Sequence, residues 1–248
     1  MSRQNHSPIP SKMSSRQPVL STQQKFFWAR PSRQVVDIFR KPVSNFERLS
    51  EAAKTRNRQT QTTLTDPAFR VLRQENDWSL VELADGTFGW LPNSSLKRVR
   101  NLDYWVKIKP APREKLIEIK APGKAKVRKI LAEFAGIPYL WGGTTQRGMD
   151  CSAFSQKLFW QLGKILLPRN SREQKKCGRP VRSTKIKDLD LLFFVHSTTG
   201  RHHVAVYWDD EVWHLCLDSQ GLTAESLESI KKRYNHLATR RIFKLQNA

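Results

Sequence analysis

Only three of the 248 residues are cysteine, Cys151, Cys177 and Cys216. So small and odd a set, with no paired spacing, excludes a disulfide-stapled fold and suits free thiols in a reducing compartment. Long apolar runs are missing as well, and none approaches the roughly 18–20 residues that cross a bilayer as a helix. The first two dozen residues lack the apolar stretch of roughly 7–15 residues that marks a secretory leader. The expectation is a cytoplasmic protein, with export to the cell envelope by an unconventional route as the alternative. Acidic residues are scarce: 22 Asp and Glu face 44 Lys and Arg, a formal net charge of +22. Tyrosine is absent before Tyr104.

What is present points to folded domains. The composition is 38% hydrophobic and 10% aromatic, with eight Trp, which excludes disorder throughout. The length gives room for one large domain or two modest ones. Positive charge concentrates in residues 1–60 (12 Lys and Arg against 3 Asp and Glu) and 164–187 (9 against 1), whereas 209–230 carries six acids and no Lys or Arg. Such a field gathers anions: nucleic acid, envelope polymer, membrane headgroups and carboxylate-rich peptides all qualify. No recognised nucleic-acid-binding motif singles out the first of these.

Four segments emerge along the chain. Residues 1–30, rich in Ser, Gln, Pro and basic side chains, read as a flexible basic arm. Residues 31–100 hold short strand-like runs: Val35–Arg40, Phe69–Leu72, and two runs flanking Asp85-Gly86 that make a β-hairpin. They predict a small all-β barrel. Residues 101–121, with Pro110 and Pro112, read as a linker. Residues 122–248 begin with helical patterns, over Lys126–Ala135 and over Cys151–Leu162 with Gly163 as the stop. Strand-like runs follow at 189–195, 203–208, 212–217 and 241–245. Helices first and antiparallel strands afterwards predict an α+β domain.

Chemistry concentrates at Cys151. Asp150 is placed to cap its helix, and a thiol in the first helical turn meets the positive end of the dipole, which favours thiolate. Backbone N–H groups there can meet a developing oxyanion. Alternation puts His203, Ala205 and Tyr207 on one strand face, and a turn at Asp209-Asp210 brings His214 back beside them. The set then reads as nucleophile, base and orienter. The competing reading is a small buried Cys with two structural histidines, and His214 with Cys216 offers only a weak metal signature.

The motif Pro138-Tyr139-Leu140-Trp141-Gly142-Gly143, followed by Asp150-Cys151-Ser152, resembles the NlpC family of papain-like bacterial cell-wall cysteine peptidases. The resemblance continues through Leu167-Pro168-Arg169-Asn170-Ser171 with Gln174, Asp190-Leu191-Leu192-Phe193-Phe194, and His203-Val204-Ala205-Val206-Tyr207. The preceding segment resembles a bacterial SH3 domain through Trp78, Asp85-Gly86 and Gly89-Trp90. The resemblance implies a papain-like fold and catalysis by Cys151, His203 and His214, with neither cofactor nor metal. It also implies a γ-D-glutamyl–diamino acid bond of peptidoglycan stem peptides as substrate. Asp150 and Ser152 match positions that bind the substrate's amino end, Tyr139 and Trp141 belong to the same motif, and Phe88 or Trp90 would stand in for the Tyr that the SH3-like domain lacks. Ala153 and Ala205 replace common glycines, and Asp188-Leu189-Asp190 replaces a Gly-Asp turn. The alternative function is a non-enzymatic binder of anionic envelope polymer or nucleic acid through the basic surface.

Overall fold

A computed structural model describes residues 26–100, 109–217 and 221–246. The expected basic arm falls outside these residues up to Gln24 and Lys25, but its end does not. Strand β1 (Phe27–Pro31) pairs with β4 (Phe69–Glu75) and β7 (Leu96–Val99). Between them lie β2 (Val35–Phe39), helix α1 (Glu51–Asn57), β3 (Arg58–Thr63), β5 (Trp78–Glu82) and β6 (Phe88–Pro92). The seven strands form one antiparallel sheet in the order β3-β2-β6-β5-β4-β1-β7. It encloses a core of Ala29, Val36, Ile38, Phe69, Val71, Val81 and Leu91. The hairpin expected at Asp85-Gly86 is present: β5 and β6 pair from Trp78↔Pro92 to Glu82↔Phe88. Gly86 supplies a φ of 78° and the Asp85 carboxylate accepts from the Thr87 amide at 2.9 Å.

The second half of the expected linker is structured and belongs to the C-terminal domain. Strand β8 (Lys109–Pro110) pairs in parallel with β12 (Ile165–Leu166), and β9 (Ile117–Lys120) with β19 (Phe243–Gln246). Residues 101–108 lie outside the described residues. Helix α2 (Lys124–Ala132) then precedes the short hairpin of β10 (Thr144–Thr145) and β11 (Gly148–Met149).

Helix α3 (Cys151–Gly163) is buried along Phe154, Leu158 and Leu162, the spacing its sequence predicts. Phe154 meets Phe134 edge-on at 5.0 Å, and Phe159 stacks on Phe243 at 4.8 Å. Its end differs from expectation. Gly163 remains helical because a Cβ there would lie 3.0 Å from the Phe243 ring, and Lys164 takes the left-handed position instead.

Beyond α4 (Ser171–Gln174) and β13 (Arg179–Val181) come β14 (Leu191–His196), β15 (His202–Trp208), β16 (Glu211–Cys216), β17 (Gly221–Glu225), α5 (Leu227–Lys231) and β18 (Tyr234–Arg241). Six of these strands form an antiparallel sheet in the order β13-β18-β14-β15-β16-β17. Helix α3 lies across β15 and β16. The α+β, papain-like expectation therefore describes this domain, with a sheet domain in front of it. Phe154→Ala is expected to cost about 3–5 kcal/mol of unfolding free energy. Urea denaturation measures it, and a loss below about 1 kcal/mol would contradict the packing of α3.

Candidate active site

Two glycines shape the entry to α3. Gly142 has a φ of 74°, and a Cβ on Gly143 would sit 2.4 Å from the Gly148 carbonyl oxygen. The tight loop that results aims the Gly142 amide at Asp150 Oδ2, 3.0 Å away. Asp150 caps α3 as its sequence predicts, accepting from the Ala153 amide at 2.9 Å. Ser152 Oγ donates to the same oxygen at 3.0 Å.

The charge of Asp150 is balanced by Arg169, a residue quoted in the sequence motif without a role. Arg169 is 3% exposed and grips both carboxylate oxygens, through Nη1 at 2.9 Å and Nη2 at 2.7 Å. Its Nη1 also donates to Ser152 Oγ, its Nη2 to the Gly143 carbonyl, and its Nε to Thr60 Oγ1 on β3. Five donor contacts thus satisfy a guanidinium that burial alone would penalise. Gln174, fully enclosed, bonds the Ser152 and Pro168 carbonyls and accepts from Ser155. The Leu167–Gln174 motif is therefore a brace for the first turn of α3.

The N-terminal sheet completes the brace. Arg58, 1% exposed, pairs with Asp37 at 2.7 Å and with Glu51, and donates to the Trp141 carbonyl at 3.3 Å. Gln61 accepts from the Thr144 amide at 3.1 Å, and Asp85 accepts from Gln156 of α3 at 2.8 Å. Arg58, Thr60 and Gln61 do not stand out in sequence, because a strand reading Arg-Gln-Thr-Gln-Thr-Thr has no apolar face. Trp90 is stacked by Arg73 within the sheet domain, and Phe88 pairs with Glu82 there. The hydrogen bonds that reach the second domain come from Arg58, Thr60, Gln61 and Asp85 rather than from these two aromatics. Trp141 is 38% exposed at the rim.

Cys151 stands at the first position of α3, 6% exposed. Burial pushes its thiol up to about 12 and the Asp150 charge adds to this, against backbone N–H donors from Val204 and Ser152 and the Arg169 charge. The helix dipole alone led to an expectation of thiolate; enclosure outweighs it and the resting sulfur is a neutral thiol. Tyr139, bridged to Met149, has its phenol raised by burial and by Cys151 and Asp150, so it remains an O–H donor.

The two histidines meet as their strands predict. Asp209 and Asp210 turn with φ of 52° and 63°, and the ladder runs Trp208↔Glu211, Tyr207↔Val212, Val206↔Trp213. His203 Nε2 lies 2.8 Å from His214 Nδ1, with ring planes at 81°. Ala205, two residues along β15 on the same face as His203, is fully buried. His203 is 6% exposed, and burial, then the charges of His214, Arg233 and His196, hold it well below the usual imidazole range. Burial thus favours the neutral imidazole, and the next residue, Val204, lies against the Cys151 thiol. His214 is fully buried and its Nε2 lies 2.9 Å from Glu225 Oε1. Both of its nitrogens are thus engaged, which leaves none for a metal with Cys216. Glu225 escaped the sequence reading: it is one acid among six in an acidic stretch, and only the β16–β17 pairing brings it to His214. His202 is paired opposite Val195, on the other face of β15 from His203, toward Arg172 and Lys175.

Among known proteins, the NlpC/P60 family model matches residues 136–241. Murein DD-endopeptidase MepS/Murein LD-carboxypeptidase of Escherichia coli (strain K12) is 33% identical over 114 residues, which is 45% of this chain and 60% of that protein. Gamma-D-glutamyl-L-lysine dipeptidyl-peptidase of Bacillus subtilis (strain 168) is 42% identical over 79 residues, 31% of this chain and 26% of that protein. Probable endopeptidase NlpC of Escherichia coli (strain K12) is 30% identical over 114 residues, 45% of this chain and 73% of that protein. The chain thus spans 60% or less of the first two.

Arg169→Met is expected to leave Asp150 buried without its cation, at a cost of about 3–5 kcal/mol. Denaturant titration and proteolysis would show the loss, together with loss of turnover; a stable, fully active variant would contradict the bracing role.

Proposed function

Because this chain belongs to the NlpC/P60 family, we propose that it is a cysteine peptidase that cuts the γ-D-glutamyl–diamino acid bond of peptidoglycan stem peptides. The observation that carries this reading is the buried His203–His214 pair at 2.8 Å on the paired strands β15 and β16, with Val204, the residue after His203, against the Cys151 thiol. The name of the Bacillus subtilis relative, a γ-D-glutamyl-L-lysine dipeptidyl-peptidase, supports the choice of bond. The name of the Escherichia coli relative, a DD-endopeptidase, supplies the competing bond.

In this mechanism His203 takes the thiol proton as Sγ attacks the γ-carbonyl carbon of D-glutamate. The Cys151 N–H at the start of α3 is assigned to the developing oxyanion, with the Tyr139 hydroxyl as a further donor. Collapse breaks the C–N bond, with His203 returning its proton to the departing amine. Water, deprotonated by His203, then hydrolyses the thioester, freeing the γ-carboxylate and the thiol. Since thiol and imidazole are both neutral at rest, the ion pair forms as substrate enters.

Asp150 and Ser152 are assigned to the floor of the amino-end pocket, and a substrate ammonium there would compete with Arg169 for the Asp150 carboxylate. The N-terminal sheet domain is assigned as an SH3-like domain that walls this pocket through the Arg58–Trp141 contact.

Cys151→Ala is expected to abolish cleavage of L-Ala-γ-D-Glu-diaminopimelate while the protein stays folded. His203→Ala should be nearly as damaging and His214→Ala milder. Mass spectrometry of products from tripeptides, tetrapeptides and DD-cross-linked peptides, with free and blocked amino ends, decides the bond. Full activity in Cys151→Ala would refute the mechanism, and cleavage confined to the DD cross-link would refute the bond assignment.

A further inference from the structure

We propose that Glu225 is a fourth, positioning residue, which fixes the direction of proton transfer through the His214–His203 pair. The argument starts from what each atom can do. An ionised carboxylate only accepts hydrogen bonds, so His214 must donate its Nε2 proton to Glu225 Oε1 across the 2.9 Å contact. His214 Nδ1 then carries a lone pair, and His203 Nε2, 2.8 Å away, must be the donor. His203 Nδ1 is left without a proton, free to take one from the thiol. Reverse the first bond and every later one reverses: His214 donates from Nδ1, His203 holds its proton on Nδ1, and the base presents N–H to the sulfur. A single carboxylate, two residues removed from the thiol, decides between a working tautomer and an idle one.

The surroundings hold Glu225 to this task. It ends β17, where its partner is Val212, one strand beyond the histidines. Burial pushes its carboxyl up, but hydrogen bonds from Ser229, His214 and Arg233 and the Arg233 charge outweigh that and hold it below the ordinary carboxylate range. Ser229 Oγ on α5 donates at 2.6 Å, and Arg233 forms an ion pair with it. The His203 ring stacks on Tyr234 of β18, 4.9 Å away with planes 30° apart, and crosses His214 at 4.9 Å. The groups that act on His203 are therefore His214 of β16, Arg233, His196 of β14 and the stacked Tyr234, while Val204, its neighbour in the chain, lies against Cys151 of α3. Arg233 lowers the basicity of His203, and Glu225 stands between that cation and the histidines. Glu225 and Arg233 thus act on the base with opposite sign.

Turnover as a readout rests on the peptidase reading, so the primary test does not use it. The full chain is treated with iodoacetamide across the neutral pH range, and alkylation of Cys151, in which thiolate displaces iodide, is followed by mass spectrometry of its peptide. Glu225→Gln is expected to slow alkylation near pH 7 by about tenfold, the equivalent of one pKa unit. Glu225→Asp should recover part of the rate, and Arg233→Met should raise it above wild type. In peptide cleavage, Glu225→Gln should lower kcat with little change in KM. A Glu225→Gln rate within about twofold of wild type, or a shift in the same direction from Glu225→Gln and Arg233→Met, would overturn the proposal. If Glu225→Gln fails to fold, unchanged alkylation in both Glu225→Asp and Arg233→Met overturns it instead. If no form cleaves any peptide, the peptidase reading falls while the alkylation series still decides the role of Glu225.

Discussion

A buried ion pair at the start of one helix organises the site. Asp150 must cap α3, and a capping carboxylate enclosed without a cation would protonate and release the turn. Arg169 removes that difficulty, and in satisfying its own five donors it reaches the Gly143 carbonyl, Ser152 and Thr60 of the other domain. The loop before Cys151, the turn that carries it and the sheet domain therefore share a single side chain. Arg58 repeats the arrangement from the opposite side, buried among Asp37, Glu51 and the Trp141 carbonyl. Two buried guanidiniums, one from each domain, make the junction polar, specific and intolerant of slippage.

Enclosure sets the electrostatics that follow. The same burial raises the Cys151 thiol and lowers His203, so both partners rest uncharged. In the proposed mechanism, separation of charge then belongs to the reaction rather than to the free protein. Dipole and backbone donors are in place for the anion, and the His214–Glu225 chain for the cation.

The parts of this architecture that bury apolar side chains were legible in the sequence. Phe154, Leu158 and Leu162 announce α3, the runs around Asp85-Gly86 announce a hairpin, and the alternation of His203 with Ala205 and Tyr207 announces which face carries the base. What escaped was polar. Strand β3 hides because its buried residues are polar, Arg58 and Thr60 among them reaching the other domain, and β18 because Tyr234–Arg241 mixes charge with short apolar residues. Arg169 and Glu225 look like two members of strongly basic and acidic stretches, and only tertiary pairing separates them from their neighbours. Lys164 shows the limit of local rules: Gly163 suits a helix stop, yet the Phe243 ring claims its missing Cβ.

The neutral, enclosed thiol has a consequence for durability. Peroxides and disulfides attack thiolate far faster than thiol, and the ladder from sulfenic to sulfonic acid begins there. A cysteine protease that stored a standing thiolate would expose its nucleophile to every oxidant in its surroundings. Here Cys151 is 6% exposed and burial favours its protonated thiol. The enclosure that makes Cys151 slow to ionise also shields it from being spent by oxidants.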